Sequence, residues 1–77
     1  MTIKIHVAVS YEKGNSYTCD DVVEISYVTL LGENVTVTGD ELLIHHFPVG
    51  RTLWLRTPDG ISSVSGDGVR AIDVYKE

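Results

Sequence analysis

The sequence predicts a small all-β protein, and three observations predict it. Apolar and polar residues alternate along most of the chain, turn dipeptides interrupt that alternation, and 77 residues allow one thin core. In the first segment Ile3, Ile5, Val7, Val9 and Tyr11 point one way, while Lys4, His6, Ala8 and Ser10 point the other. A period of two marks a strand with one buried face. Surface scaling gives a folded area of roughly 4,700 Å² against roughly 12,300 Å² unfolded, so about 60% of the surface leaves water on folding. The expectation is a single domain over 1–77, with no room for a second layer or a large internal cavity.

Seven extended segments follow in order. The first, 3–11, ends at Lys13-Gly14-Asn15, where Gly and Asn accept positive φ. The second, 17–30, sets Val23, Ile25 and Tyr27 on one face and Glu24 and Ser26 on the other. Its rhythm fails at Val28-Thr29-Leu30-Leu31, which predicts a bulge. Gly32-Glu33 turns the chain into 34–38, where Asn34-Val35-Thr36-Val37-Thr38 alternates cleanly. Gly39-Asp40 reads as a type II′ turn that makes 34–38 and 41–47 a tight hairpin. Segment 41–47 has a second reading, because Leu42, Leu43, His46 and Phe47 also share one face of a short helix with Asp40 as its N-cap. Strand is preferred over helix there.

Pro48-Val49-Gly50 ends that element, and 51–57 alternates again with Leu53 and Leu55 inward and Thr52, Trp54 and Arg56 outward. Pro58-Asp59-Gly60 is a turn because Pro presets φ and Gly accepts the left-handed region. Segment 61–64 is short, Ser65-Gly66-Asp67-Gly68 turns the chain, and 69–76 closes the sheet with Ile72 and Val74 inward. Short strands joined by tight turns predict an antiparallel meander of six to seven strands, curled into a barrel or roll that covers the core and hides the edges. One short helical turn near 41–47 is the departure allowed.

Charge narrows the function classes. The formal net charge is −5, with acids spread along the chain and grouped at Asp20, Asp21 and Glu24 and at Asp40 and Glu41. Six scattered Lys and Arg residues cannot form the track that neutralises a phosphate backbone, so nucleic-acid binding is disfavoured. A lone cysteine, Cys19, cannot form an internal disulfide. The N-terminus alternates at once and lacks the apolar core of a signal peptide, and no run approaches the ~20 apolar residues of a membrane helix. The expectation is a soluble, cytoplasmic protein, complete as written.

Residues able to carry chemistry are few and unpatterned. His6, His45 and His46 lack metal-ligand spacing, and neighbours on a strand point to opposite faces, so no metal site is expected. Cys19 stands beside Asp20 and Asp21, whose charge raises a thiol pKa, so it reads as a packing residue and not a nucleophile. Ser62, Ser63 and Ser65 lie outside any nucleophile-elbow pattern. Ser65-Gly66-Asp67-Gly68 lacks the lysine and helix of a phosphate cradle, and Asn34-Val35-Thr36 matches a glycosylation sequon without a secretory signal. No cofactor is expected, and an enzyme is disfavoured.

The segment Arg51-Thr52-Leu53-Trp54-Leu55-Arg56-Thr57 carries the strongest signal. If Leu53 and Leu55 face the core, Trp54 projects from the opposite face beside Thr52 and Arg56. Trp and Arg are enriched at binding hot spots because they combine contact area with directed hydrogen bonds. The expected function is a non-catalytic protein–protein interaction module binding through Trp54, Arg56 and Thr52, with Asp40 and Glu41 steering a basic partner. By association alone, such a stand-alone acidic domain suits an inhibitor or accessory protein of a phage or mobile element. The alternative is a structural subunit that forms homo-oligomers through exposed edges or the Trp54 face. A single-strand binder, with Tyr11, Tyr17, Tyr27 and Trp54 as stacking rings, ranks below both because basic residues are too few.

Overall fold

Turn chemistry decides which strands meet. The computed structural model describes residues 4–76, so the inward placement expected for Ile3 lies outside the described residues. Within them the chain forms β1 (Ile5–Tyr11), β2 (Ser16–Cys19), β3 (Glu24–Val28), β4 (Asn34–Thr38), a 3₁₀ helix (Gly39–Leu43), β5 (Leu53–Thr57), β6 (Gly60–Val64) and β7 (Val69–Lys76). Every strand pairing is antiparallel.

Three hairpins are local. Tyr11 N–H donates to the Asn15 carbonyl at 2.9 Å, and Thr29 N–H donates to the Glu33 carbonyl at 2.8 Å. Each closes a three-residue loop whose last residue is a left-handed glycine, Gly14 at φ 90° and Gly32 at φ 83°. The β3–β4 loop therefore accounts for the failed rhythm at 28–31: Leu30 and Leu31 are its tip, not a bulge in a strand. The register shift occurs elsewhere, in β1 between Ser10 and Tyr11. Pro58-Asp59 forms the short third loop, where the Thr57 hydroxyl donates to the Gly60 carbonyl at 3.3 Å.

The long-range pairings depart from a meander. One sheet has the order β2-β1-β7 and the other β4-β3-β5-β6. Neither is closed into a barrel. The two sheets share one hydrophobic cluster, in which Ile5, Val7 and Val9 of β1 meet Ile25 of β3 and Leu53 and Leu55 of β5. The second layer thought too large for this length is present because each sheet is small.

The split arises at Asp21. It adopts φ 58°, a left-handed conformation that Asp tolerates better than most side chains. Immediately after it, Val22 N–H donates to the Ile5 carbonyl of the first sheet at 2.9 Å, and Val23 N–H donates to the Arg56 carbonyl of the second at 2.8 Å. The chain changes sheets within two residues. Segment 17–30 is consequently two strands and not one. Val22 is buried and Val23 is half exposed, which reverses the expectation for Val23.

The hairpin expected between 34–38 and 41–47 does not form. Gly39 takes φ 62° and leads into the 3₁₀ helix, with Thr38 at the N-cap and no side-chain cap bond, so Asp40 is not a cap. That helix sinks Leu42 to full burial against the core. Burying such a side chain is worth ~1.5–3 kcal/mol. The irregular stretch that follows carries the chain past β3, and β5 pairs there on the side opposite β4.

Candidate functional site

Register fixes the outer face of the four-stranded sheet. Thr36 lies opposite Ser26, Ser26 opposite Trp54, and Trp54 opposite Ser63, so one row runs across all four strands. The next row is Thr38, Glu24, Arg56 and Ile61. Since Leu53 and Leu55 are fully buried, their neighbours on β5 must face outward. Trp54 is 40% exposed and Ile61 66% exposed on that face.

The surroundings of Trp54 are short. Ser26 and Ser63 flank it across the strands, and Thr52 is exposed before it on the same alternation. The bulkier side chains of that face, Glu24, Arg56 and Ile61, belong to the neighbouring row, and the indole keeps 40% of its surface in solvent. Ser26 Oγ and Thr36 Oγ1 lie 3.3 Å apart and hold each other in place. Arg56 Nη1 approaches Glu24 Oε2 at 3.9 Å, with the Arg side chain 60% exposed. An exposed pair at that distance contributes at most ~1 kcal/mol, so the guanidinium is available to a partner's acceptor.

Asp40 and Glu41 lie on the exposed 3₁₀ helix beyond β4, and β3 separates β4 from β5. The structure thus groups Trp54, Arg56 and Thr52 and leaves the two acids at the sheet margin. The three histidines occupy separate settings. His6 Nδ1 is 2.7 Å from Asp20 Oδ1, His45 Nε2 is 2.7 Å from the Tyr27 hydroxyl, and His46 is exposed. Among the described residues no group of three or more His, Cys, Asp or Glu side chains could hold a metal ion. Cys19 is buried, and that burial pushes its thiol pKa up; the Tyr17 hydroxyl opposes the shift and Asp20 adds to it. Neutral and enclosed, it is a packing residue.

A second apolar surface was not anticipated. Leu30 and Leu31 are 86% and 87% exposed at the β3–β4 tip, where the equivalent positions of the β1–β2 loop are Glu12 and Lys13. Beside them a groove of about 510 Å³ is lined by Tyr27, Thr29, Leu30, Pro48, Val49 and Arg51, with Gly50 completing its wall. The shared loop spacing, two residues and then Gly, was the signal: an apolar pair at a tip that elsewhere takes charge. No protein-family model, curated protein or solved structure matches this chain. Among the described residues no helix is long and apolar enough to cross a membrane.

Proposed function

We propose that this protein is a non-catalytic cytoplasmic module that binds another protein through the outer face of its four-stranded sheet. Trp54 supplies the central contact, Arg56 a directed cation, and Thr52, Ser26 and Ser63 a ring of short polar side chains. The single observation that carries this reading is the half-exposed Trp54 in a row otherwise built of Ser and Thr. A lone large aromatic left uncovered over small neighbours leaves contact area that a partner buries, which is the arrangement of interface hot spots.

The test compares wild type with Trp54→Thr, which keeps a β-branched side chain suited to β5. Both are used as baits in native extract, and a protein held by wild type is then purified and measured directly. The reading expects Trp54→Thr to lose at least about tenfold in affinity for that protein while melting within a few degrees of wild type. Identical captured sets, or unchanged affinity, would overturn it. Self-association is the second reading, favoured by the exposure of both Trp54 and Ile61 on that same face. Light scattering at high concentration separates the two, because the first expects a monomer.

A further inference from the structure

The free edge of β4 is defined by the loop before it. Thr29 N–H donates to the Glu33 carbonyl, while Glu33 N–H donates to Thr29 Oγ1 at 3.2 Å, so residues 29 and 33 occupy a hydrogen-bonded position of the ladder. Antiparallel pairs alternate, and the β3–β4 register is continuous; Val35 and Val37 therefore bond to β3. Ser26 and Thr36 form a close, non-hydrogen-bonded pair, in agreement with their 3.3 Å hydroxyl contact. The N–H and C=O groups of Asn34 and Thr36 and the N–H of Thr38 consequently point away from the sheet, while the Thr38 carbonyl turns into the 3₁₀ helix as its N-cap. None of the outward groups bonds to another described segment.

Other edges in the molecule carry protection. The outer strand β2 is only four residues long, and β7 carries Arg70, Asp73 and Lys76. The edge strand β6 is uncharged but opens on Gly60, which weakens it as a template. By contrast, Asn34-Val35-Thr36-Val37-Thr38 contains no charge, proline, glycine or bulge, although such edges ordinarily carry one of these devices. Its flanks are different: Glu33 precedes it, and Asp40 and Glu41 follow one residue after its end, all three exposed.

We infer that the β4 edge accepts an extended segment of a partner protein, uncharged over about five residues and bearing Lys or Arg at both flanks. Backbone groups of Asn34, Thr36 and Thr38 pair with the incoming strand, and Glu33 at one end and Asp40 and Glu41 at the other meet the basic flanks. A second copy of this chain fits the backbone but not the charge. Symmetric pairing about Thr36 would bring Glu33 of one copy to the Asp40 and Glu41 end of the other, twice over, between two chains each of net charge −5. This surface does not depend on the Trp54 face, and its test leaves Trp54 untouched.

The experiment titrates the full-length, isotope-labelled chain with the peptide Lys-Lys-Thr-Val-Thr-Val-Thr-Lys-Lys and follows amide exchange residue by residue. Before addition, the amides of Thr36 and Thr38 should exchange fast and those of Val35 and Val37 slowly. Addition should slow exchange at Thr36 and Thr38 by at least about tenfold. The same peptide flanked by Glu should bind at least about tenfold more weakly, and raising salt from about 50 to about 500 mM should narrow that gap. N-methylating the peptide on the alternate residues that face β4 should abolish binding, whereas methylating the opposite phase should not. Thr36→Pro, which removes the outward N–H together with the hydroxyl that meets Ser26, should act as the first methylation does, and Thr36→Val, which removes the hydroxyl alone, should bind as wild type. No change at Thr36 and Thr38, or equal binding of the Glu-flanked peptide, overturns the proposal. So does concentration-dependent protection of these amides in the chain alone, which would make a second copy the occupant.

Discussion

Gly66 offers a quantitative test of how the two sheets are joined. It is buried, and a Cβ added there would lie 2.6 Å from the carbonyl carbon of Arg51 and closer still to the Arg51 nitrogen and the Gly50 carbonyl carbon. Ordinary contacts of a Cβ begin near 3.4 Å, so one backbone segment must move by about 1 Å in Gly66→Ala. Overpacking typically costs ~1–3 kcal/mol, and an obstacle made of backbone places this substitution at the upper end. Total stability for this length is ~4–8 kcal/mol. With an unfolding entropy of ~160 cal/mol/K, a loss of ~3 kcal/mol lowers the melting temperature by about 15–20 °C. Gly68→Ala is the control: Gly68 has φ 75° but open space around it, so the cost is backbone strain alone, ~1–2 kcal/mol. Thermal melts followed by circular dichroism read both variants. Gly66→Ala melting within about 5 °C of wild type, or no lower than Gly68→Ala, would refute the close approach of these segments.

Other expectations follow from single residues. Asp21→Val, which places a β-branched side chain at φ 58°, should cost ~2 kcal/mol in urea unfolding, while Asp21→Gly should stay within ~0.5 kcal/mol of wild type. Leu30→Glu with Leu31→Lys copies the Glu12-Lys13 loop onto an equally exposed tip, and its unfolding free energy should match wild type within ~0.5 kcal/mol; a large loss would mean that the leucines pack. The buried Cys19 should react with iodoacetamide much more slowly than a free thiol at neutral pH. Its raised pKa means that the folded state holds the proton more tightly than the unfolded one. The associated stability is present below about pH 8.5 and declines as pH rises through the folded value, a decline that Cys19→Ala should lessen in urea midpoints compared at neutral and alkaline pH.

Much of this architecture was readable from local pattern. Strands β1, β4, β5 and β7 fall where alternation placed them, because each buries one face and keeps the other in water. Seven extended segments were expected and seven strands occur among the described residues, but the agreement hides two compensating errors. The 17–30 segment is divided by a single left-handed residue, and Asp21 carries no alternation signal that would announce it. Segment 41–47 has enough apolar residues for a strand, yet Leu42 enters the shared core from a 3₁₀ turn. The alternative of a short helix there was nearer the outcome than the strand, with its start moved to Gly39.

Long-range pairing was the part that local pattern did not contain. Turns specify the hairpins β1–β2, β3–β4 and β5–β6, whereas the β1–β7 and β3–β5 pairings depend on which side chains enclose the core together. The same division holds for the site. Trp54, Thr52 and Arg56 share a face because period two requires it, and Glu24 and Ser26 join them only through the β3–β5 register. Asp40 and Glu41 were grouped with that face by charge alone, and the topology sets β3 between them and β5. Leu30 and Leu31 escaped notice because a broken rhythm resembles a bulge until the loop's hydrogen bonds are known.

Tryptophan fluorescence tests the outward placement of residue 54 most directly, since the chain holds a single Trp. The native protein should emit well to the red of an enclosed indole, and acrylamide should quench it before any denaturant is added. Blue-shifted emission that acrylamide reaches only after unfolding would place the ring inside and remove the docking face with it.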